Sequence, residues 1–264
     1  MRTFLAINPP ISTRLPEGSG RSLYVILLTH ILKRALAEHQ FMTFTSPDHP
    51  PPELSALGLA GNRPLLIVDV DEVLGLFMEG FARYLGGQGL EMRFDRFALF
   101  QNIYRPGEDT HIDIETGQAH FQAFFRDAVA DMPVADGGPE ALARLSHRAD
   151  IVILTNAPGQ ALEGRARWLK RHGMDYPLLI NSGHKGPVAA ALAAQAVGPA
   201  VFIDDMIPNL DSVAEHAPAV ARFQTVADPR LRSMAPSRPD FHPRIDGWDG
   251  LEAAITVVLD AAVR

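Results

Sequence analysis

Short runs of apolar residues recur along the chain from residue 64 onward. A short, mainly apolar run is typical of a strand that is buried on both faces of a parallel sheet. Such runs lie at residues 65–70, 151–154, 178–180, 200–203 and 220–223. The pattern therefore predicts five core strands in this order along the chain.

The segments between these runs carry apolar residues at spacings of three and four, which is the period of an α-helix. We predict helices over residues 137–147, 159–172, 187–196, 209–216 and 251–263. Strands that alternate with helices in this way indicate an α/β fold with a doubly wound parallel sheet.

Residues 74–132 interrupt the alternation between the first two core strands. This stretch is longer than a simple crossover needs, and it holds two aromatic-rich amphipathic patterns. We interpret it as a small helical cap inserted into a core made of residues 64–73 and 133–264. The residues Phe121, Phe124 and Phe125 are interpreted as the core of this cap and not as an aromatic substrate box. Arg105 could reach the site from the cap, but a solvated arginine is the favoured interpretation.

Residues 1–63 differ from the rest because clusters of proline bracket one predicted helix at about residues 21–39. Such clusters are typical of a linker or a poorly ordered segment, so we predict an N-terminal extension here. It could be a docking or regulatory arm, or a dispensable extension; the second interpretation is favoured.

Composition narrows the possible functions. The net charge of −7 argues against a nucleic-acid polymer as partner, although a bound cation would still allow a small anionic substrate. Because the chain has no cysteine, disulfides, thiolate catalysis and zinc–thiolate sites are excluded. The apolar run at residues 23–32 is too short to span a bilayer. A signal peptide is a weak alternative, and we expect a cytoplasmic protein without a membrane partner.

Acidic residues follow two of the predicted strands directly. Asp69 and Asp71 follow the first strand, and Asp204 and Asp205 follow the fourth. In an open parallel sheet, ligands bind at the carboxyl ends of the strands, and a hard divalent cation would offset the cost of grouping carboxylates there. Oxygen ligands suit magnesium, so the four aspartates are the predicted metal site and Mg²⁺ is the predicted cofactor.

Polar residues at two further element ends complete the candidate site. Thr155 and Asn156 end the second strand, where a hydroxyl group and backbone amides could hold phosphate oxygens. Lys185 precedes a predicted helix that begins with Pro187, a residue favoured at a first helical position. A lysine there could neutralise charge on both a phosphate and the carboxylates.

Together these residues resemble four ordered motifs of the haloacid dehalogenase-like hydrolase superfamily. The sequence DVDEV at 69–73 is similar to the first motif, LTN at 154–156 to the second, Lys185 to the third and DDMIPN at 204–209 to the fourth. The resemblance covers residues 64–223. Four motifs in the family's order, each at a strand end or helix start, are far more specific than one.

The resemblance implies a role for each matching residue. Asp69 would attack phosphorus, and Asp71 would protonate the leaving oxygen and later activate water. Asp205 would bind the metal together with Asp69 and the Asp71 backbone carbonyl. Thr155 would bind the transferred phosphoryl group, and Lys185 would neutralise it.

Three further positions belong to the same pattern. Asp204 would either support Lys185 or complete the metal shell, and Asn209 falls where the family often has an acidic or amide group. Glu72 departs from the pattern, because phosphatases of this family commonly have glycine there.

The resemblance implies a magnesium-dependent phosphatase that hydrolyses a small phosphorylated metabolite through an aspartyl-phosphate. Asp71 favours phosphate transfer over carbon–halogen cleavage, because haloacid dehalogenases lack an acid at that position. A phosphotransferase or mutase of the same family is one alternative. The other is a non-catalytic protein that keeps the fold for binding a partner. The sequence leaves the substrate and the oligomeric state open.

Overall fold

A parallel sheet forms the centre of the molecule. The computed structural model describes residues 42–44 and 51–261, and only the backbone of the first of these segments. The predicted helix at residues 21–39 lies outside them. The strands are β1 (Met42–Phe44), β2 (Leu65–Val68), β3 (Glu91–Met92), β4 (Ile103–Tyr104), β5 (Asp150–Asn156), β6 (Leu178–Asn181), β7 (Ala200–Asp204) and β8 (Ala221–Gln224).

The strand order in the main sheet is β1-β6-β5-β2-β7-β8, and the paired strands are parallel. The first core strand, β2, therefore lies in the interior of the sheet, between β5 and β7. Its register pairs Val68 with both Ile153 and Ile203, so the ends of three strands meet at one edge. The five predicted core strands are confirmed to within one or two residues at each end.

Helices connect the strands and cover the sheet. They are α1 (Phe77–Gly87), α2 (Ile114–Asp127), α3 (Gly138–Leu145), α4 (Leu162–Arg171), α5 (Gly186–Ala193), α6 (Ile207–His216) and α7 (Trp248–Ala261). The predicted start of α4 at residue 159 is a 3-10 turn, Gly159–Ala161, which precedes the α-helix. Among the described residues, no helix is long and apolar enough to cross a membrane.

Two apolar clusters lie on opposite faces of the sheet because successive strand residues point to opposite sides. Leu66 and Val68 contribute to the larger cluster, which also holds the aromatic side chains of the cap. Leu65 and Ile67 contribute to the smaller cluster beneath α5 and α6. Because both faces are covered, every residue of β2 is buried, as the continuous apolar run predicts.

Part of the predicted N-terminal extension contacts the core. Leu54 and Leu57, in the 3-10 turn Leu54–Leu57, are buried in the smaller cluster, and β1 pairs with β6. Apolar contacts with the core thus begin before residue 64. The division of the chain into extension, core and cap otherwise stays a prediction.

Helices α1 and α2 pack through aromatic rings within the predicted cap. Phe77 lies 5.6 Å from Phe124 and 5.8 Å from Phe125, measured between ring centroids. Phe124 and Phe125 are buried, as the core interpretation requires, whereas Phe121 is only half-buried. The hairpin of β3 and β4 was not predicted, because strands of two residues are too short to show an alternating pattern.

The contact between α5 and α6 leaves no room for a side chain at Gly186. A Cβ atom there would lie well inside 3.0 Å of the hydroxyl and carbonyl oxygens of Ser212. We expect Gly186→Ala to lower the free energy of unfolding by about 1–3 kcal/mol, as overpacking does. Gly86→Ala on α1 is the control, since a Cβ atom there meets nothing within 4 Å. Urea denaturation of both variants and of the wild type measures the free energy of unfolding. A Gly186→Ala variant as stable as the wild type would contradict the packing argument.

Candidate active site

Three carboxylates meet where β2 and β7 end side by side. Asp69 follows β2, Asp204 is the last residue of β7 and Asp205 follows it. The Asp69 amide donates a hydrogen bond of 3.0 Å to the Ile203 carbonyl, which continues the strand pairing up to the site. One carboxylate oxygen from each of the three aspartates lies within 4.8 Å of the other two. The convergence expected from the strand ends is present.

The Lys185 ammonium group lies between two of these carboxylates. Its Nζ atom is 2.7 Å from Asp69 Oδ1 and 2.7 Å from Asp204 Oδ2, and its side chain is fully buried. Burial alone would lower the pKa of Lys185, but the Asp204 and Asp69 charges outweigh burial and raise it. We therefore expect Lys185 to keep its proton at neutral pH. Lys185 directly precedes Gly186, the first residue of α5, so the start of this helix fixes its position.

Asp204 is held by several donors at once. Its Oδ1 accepts a hydrogen bond of 2.9 Å from the Met206 amide, and both oxygens accept from the Asn209 side chain at 3.1 and 3.2 Å. Burial raises its pKa to about 6 even though Lys185 opposes the shift. Since its oxygens are occupied by protein donors, the geometry favours support of Lys185 over metal ligation for Asp204.

Asp205 carries the least compensated charge of the site. Burial raises its pKa well above the usual range, and the nearby Asp204, Asp69 and Glu72 carboxyl groups raise it further. Lys185 opposes this shift only weakly by comparison. A divalent cation between Asp69 and Asp205 would relieve the repulsion, and a donor set made only of oxygen atoms suits Mg²⁺.

Asp71 is paired with a residue that sequence reasoning missed. Arg165 on α4 is fully buried and forms an ion pair with the Asp71 carboxylate. Its guanidinium group also lies 5.1 Å from the ring centroid of Phe125. Burial raises the pKa of Asp71, and Arg165 limits that rise. A signal existed, because Arg165 lies on the face of α4 that also carries the apolar residues Leu162 and Leu169.

Glu72 occupies a backbone position that glycine usually fills. Its φ is +56°, a left-handed conformation that costs most side-chain-bearing residues about 1 kcal/mol or more. The carboxyl group accepts hydrogen bonds from the Met78 amide at 2.9 Å and the Asp228 amide at 3.3 Å. It therefore links the loop that follows β2 to the start of α1 and to the segment after β8. Glu72 keeps the turn that glycine would allow and adds two contacts.

Thr155 and Asn156 end β5, as predicted, but their side chains differ in availability. Thr155 is buried, and its hydroxyl oxygen has no hydrogen-bond partner among the described residues. Asn156 donates to the Gly183 carbonyl at 2.9 Å and accepts from Asn181 at 2.8 Å. A phosphoryl oxygen could thus satisfy the Thr155 hydroxyl, whereas the Asn156 side chain is already engaged.

A cavity of about 710 Å³ lies at this site and reaches the predicted cap; Asn156 lines it, whereas Thr155 is not among its lining residues. Asp69, Asp71, Lys185 and Asp205 line it from the core side. The cap arginine that lines the cavity is Arg96. Arg105, the cap arginine considered from the sequence, is not among the lining residues; it is exposed and lies 3.6 Å from Glu108.

Burial raises the pKa of Glu72 to about 8 from an ordinary value of 4.5. The folded chain therefore holds a proton that the unfolded chain releases between these two values. Its contribution to the free energy of unfolding is complete below pH 4.5 and is lost as the pH rises through 8. Between pH 5 and 8.5, we expect the free energy of unfolding of Glu72→Gln to fall less than that of the wild type. The two falls should differ by about 1.4 kcal/mol for each unit by which the pKa of Glu72 is raised in the folded protein.

Urea denaturation across this pH range, with a metal chelator present, measures the slope. Glu140→Gln, at an exposed position on α3, is the matched control and should keep the wild-type slope. Parallel curves for Glu72→Gln and the wild type would show that Glu72 is ionised in the folded protein.

Comparison with known proteins gives matches in structure alone. No protein-family model and no curated protein sequence matches the chain. A Bacillus subtilis structure, described as a HAD-hydrolase bound to magnesium, has a TM-score of 0.51 and 13% identity. It covers 74% of this chain and 99% of its own.

Two other structures give lower scores. A HAD-superfamily hydrolase of subfamily IA from Geobacter sulfurreducens has a TM-score of 0.47 and 19% identity, covering 73% of this chain and 99% of its own. A haloacid dehalogenase-like family protein from Streptococcus pneumoniae has a TM-score of 0.46 and 13% identity, covering 75% and 100%. The Bacillus subtilis match and the parallel sheet covered by helices agree with the fold predicted from the sequence: this chain has the haloacid dehalogenase-like fold.

Proposed function

We propose that this protein is a magnesium-dependent phosphatase that hydrolyses a small phosphate monoester through an aspartyl-phosphate on Asp69. The observation that carries the proposal is the meeting of Asp69, Asp205 and Lys185 at one edge of the sheet, beneath a cavity. A nucleophile, a fixed cation and a further carboxylate that has no cation partner among the described residues are parts that suit phosphoryl transfer.

The metal part of the proposal assigns Mg²⁺ to Asp69 and Asp205, with the Asp71 backbone carbonyl as a further ligand. Bound Mg²⁺ would supply positive charge that offsets the repulsion between the Asp69 carboxylate and a phosphate dianion. The Bacillus subtilis structure of the same fold was obtained with magnesium bound. Asp204, although near, serves in this proposal as the support of Lys185.

Two steps then follow from the side chains present. An Asp69 oxygen attacks phosphorus while the ester P–O bond breaks, and Asp71 gives its proton to the leaving oxygen. Asp71 next takes a proton from water, which attacks phosphorus, releases inorganic phosphate and regenerates the Asp69 carboxylate. The raised pKa of Asp71 suits a group that must both hold and accept a proton. Arg165 fixes the orientation of Asp71 from the side of α4.

Lys185 and Thr155 would bind the phosphoryl group during both steps. Lys185 already contacts Asp69, so its charge lies next to the attacking oxygen throughout. The buried Thr155 hydroxyl, which has no partner in the described part of the chain, could donate to a phosphoryl oxygen. Asn156 lines the cavity and is assigned a secondary binding role.

We also infer that the protein acts on a small phosphorylated metabolite and is located in the cytoplasm. The net charge of −7 favours a small phosphorylated metabolite over a nucleic-acid polymer, and the absence of cysteine fits a reducing cytoplasm.

Loss of the nucleophile should abolish turnover without unfolding the protein. We expect Asp69→Asn to lower kcat for p-nitrophenyl phosphate with Mg²⁺ by about a thousandfold or more, because an amide cannot attack phosphorus. Circular dichroism should be unchanged. Asp127→Asn, at an exposed position that ends α2, is the control and should keep full activity.

Near-normal turnover by Asp69→Asn would refute the assignment of the nucleophile. Product analysis separates the alternatives, since a hydrolase releases inorganic phosphate steadily and a mutase conserves it. An intact protein without any phosphoryl-transfer activity would favour the non-catalytic alternative.

The uncompensated charge of Asp205 should appear in thermal stability. Because the folded chain penalises its ionised form, Asp205→Asn should raise Tm in a metal chelator at pH 8, by about 2–4 °C for each kcal/mol gained. Mg²⁺ should raise the Tm of the wild type, through binding to the folded state, and leave Asp205→Asn unchanged. Asp127→Asn should respond to Mg²⁺ as the wild type does. An equal Mg²⁺ response in Asp205→Asn would remove Asp205 from the metal site.

A further inference from the structure

We infer that the substrate is a phosphate monoester whose alcohol part is apolar, an alkyl or aryl group, and not a sugar or another polyhydroxylated alcohol. This inference rests on the proposed function, because it assigns the phosphate to the carboxylate end of the cavity. It concerns the other end, towards the cap, where the leaving group would lie.

The cap end of the cavity is apolar. Its lining side chains are Phe77, Met78, Phe97, Ala98, Leu99 and Phe121. Among the described residues of the cap, Arg96 is the one charged side chain that lines the cavity, and no hydroxyl, amide or carboxylate of the cap does so. The polar lining residues belong to the core, next to the phosphoryl-transfer groups.

Sugar hydroxyl groups would be poorly matched to such a lining. Each hydroxyl that leaves water without a hydrogen-bond partner loses free energy, and a sugar carries several of them. A site that selects polyhydroxylated substrates therefore needs donors and acceptors at matching positions. The cap end offers the Arg96 guanidinium group and apolar surface, so an alkyl chain or an aromatic ring fits it better.

Exposed apolar side chains at the cavity support the same conclusion. Phe97 in the cap is 39% exposed and Met206 in the core is 37% exposed, and both line the cavity. Single exposed apolar residues are ordinary on protein surfaces. Here two of them come from separate parts of the chain and face one cavity, so an apolar ligand would remove both from water together.

The volume of the cavity limits the size of the alcohol part of the substrate. A volume of about 710 Å³ lies within the range of about 300–1,000 Å³ that is common for sites of small molecules. A phosphate with a medium alkyl chain or an aromatic ring system fits within it.

A series of n-alkyl phosphates tests the inference. Ethyl, butyl and hexyl phosphate have leaving groups of similar acidity, so differences in kcat/KM report binding of the chain and not the chemistry of the leaving group. With the full-length protein and Mg²⁺, we expect kcat/KM to rise about two- to fourfold for each added methylene group. Glucose 6-phosphate and glycerol 3-phosphate should lie at least tenfold below hexyl phosphate. A flat series, or a preference for either polyol phosphate, would overturn the inference.

A matched pair of variants locates the effect in the cavity. Phe97→Asn should lower the ratio of kcat/KM for hexyl phosphate to that for ethyl phosphate by about threefold or more. Phe241→Asn is the control, because Phe241 is 63% exposed and does not line the cavity. It should leave the ratio at the wild-type value. An unchanged ratio in Phe97→Asn would contradict the assignment of the apolar surface.

Two measurements separate failure of this inference from failure of the proposed function. Turnover of p-nitrophenyl phosphate together with a flat alkyl series would leave the phosphatase proposal intact and refute the apolar substrate. If no ester is hydrolysed, the phosphatase proposal fails. Calorimetric binding of hexylphosphonate against ethylphosphonate then decides the inference alone: tighter binding of the longer chain supports it, and equal binding refutes it.

Discussion

The ammonium group of Lys185, buried between Asp69 and Asp204, is the interaction on which the site depends. A charge in a protein interior is tolerated only when it is paired and hydrogen-bonded, because the loss of hydration costs several kcal/mol for each ion. Lys185 meets this condition through two contacts of 2.7 Å. Its partner Asp204 meets it through the Met206 amide and the Asn209 side chain. Loss of any one of these contacts would leave a buried charge with fewer partners and would destabilise the site.

Pairing is incomplete across the rest of the site, and this imbalance is informative. Asp71 has Arg165, but Asp205 has no cation of its own in the part of the chain that the structure describes, and neighbouring carboxyl groups raise its pKa. A purely structural network would be expected to balance its charges. The excess of carboxyl groups at two adjacent strand ends agrees with the proposed cation site, and in the absence of a cation it would lower the stability of the protein.

The apolar runs in the sequence predicted the sheet well, because the burial of a strand determines which residues it contains. A strand covered on both faces is continuously apolar, so β2, β5 and β7 could be located from the local sequence alone, and the carboxylates at the ends of β2 and β7 were expected to lie near one another. Arg165 and the 3-10 turn Leu54–Leu57 were missed because their importance comes from tertiary contacts. Arg165 lies 94 positions from Asp71 along the chain. Its spacing from Leu162 and Leu169 could indicate that Arg165 is buried, but a local pattern does not identify a partner so far away along the chain.

Glu72 shows how a departure from the family pattern can connect two parts of the site. Its carboxyl group accepts from Met78 in the cap and Asp228 in the core, and its backbone lies one residue after Asp71. Any movement of α1 away from the sheet must therefore break a buried hydrogen bond at the catalytic loop. With glycine at this position, the two hydrogen bonds that the carboxyl group accepts would be lost, although the backbone bonds of residue 72 to Gly75 and Ala227 could remain. With Glu72, a hydrogen bond joins the start of α1, near the apolar surface that would select the leaving group, to the loop that carries Asp71. Asp71 is the residue proposed to protonate that leaving group.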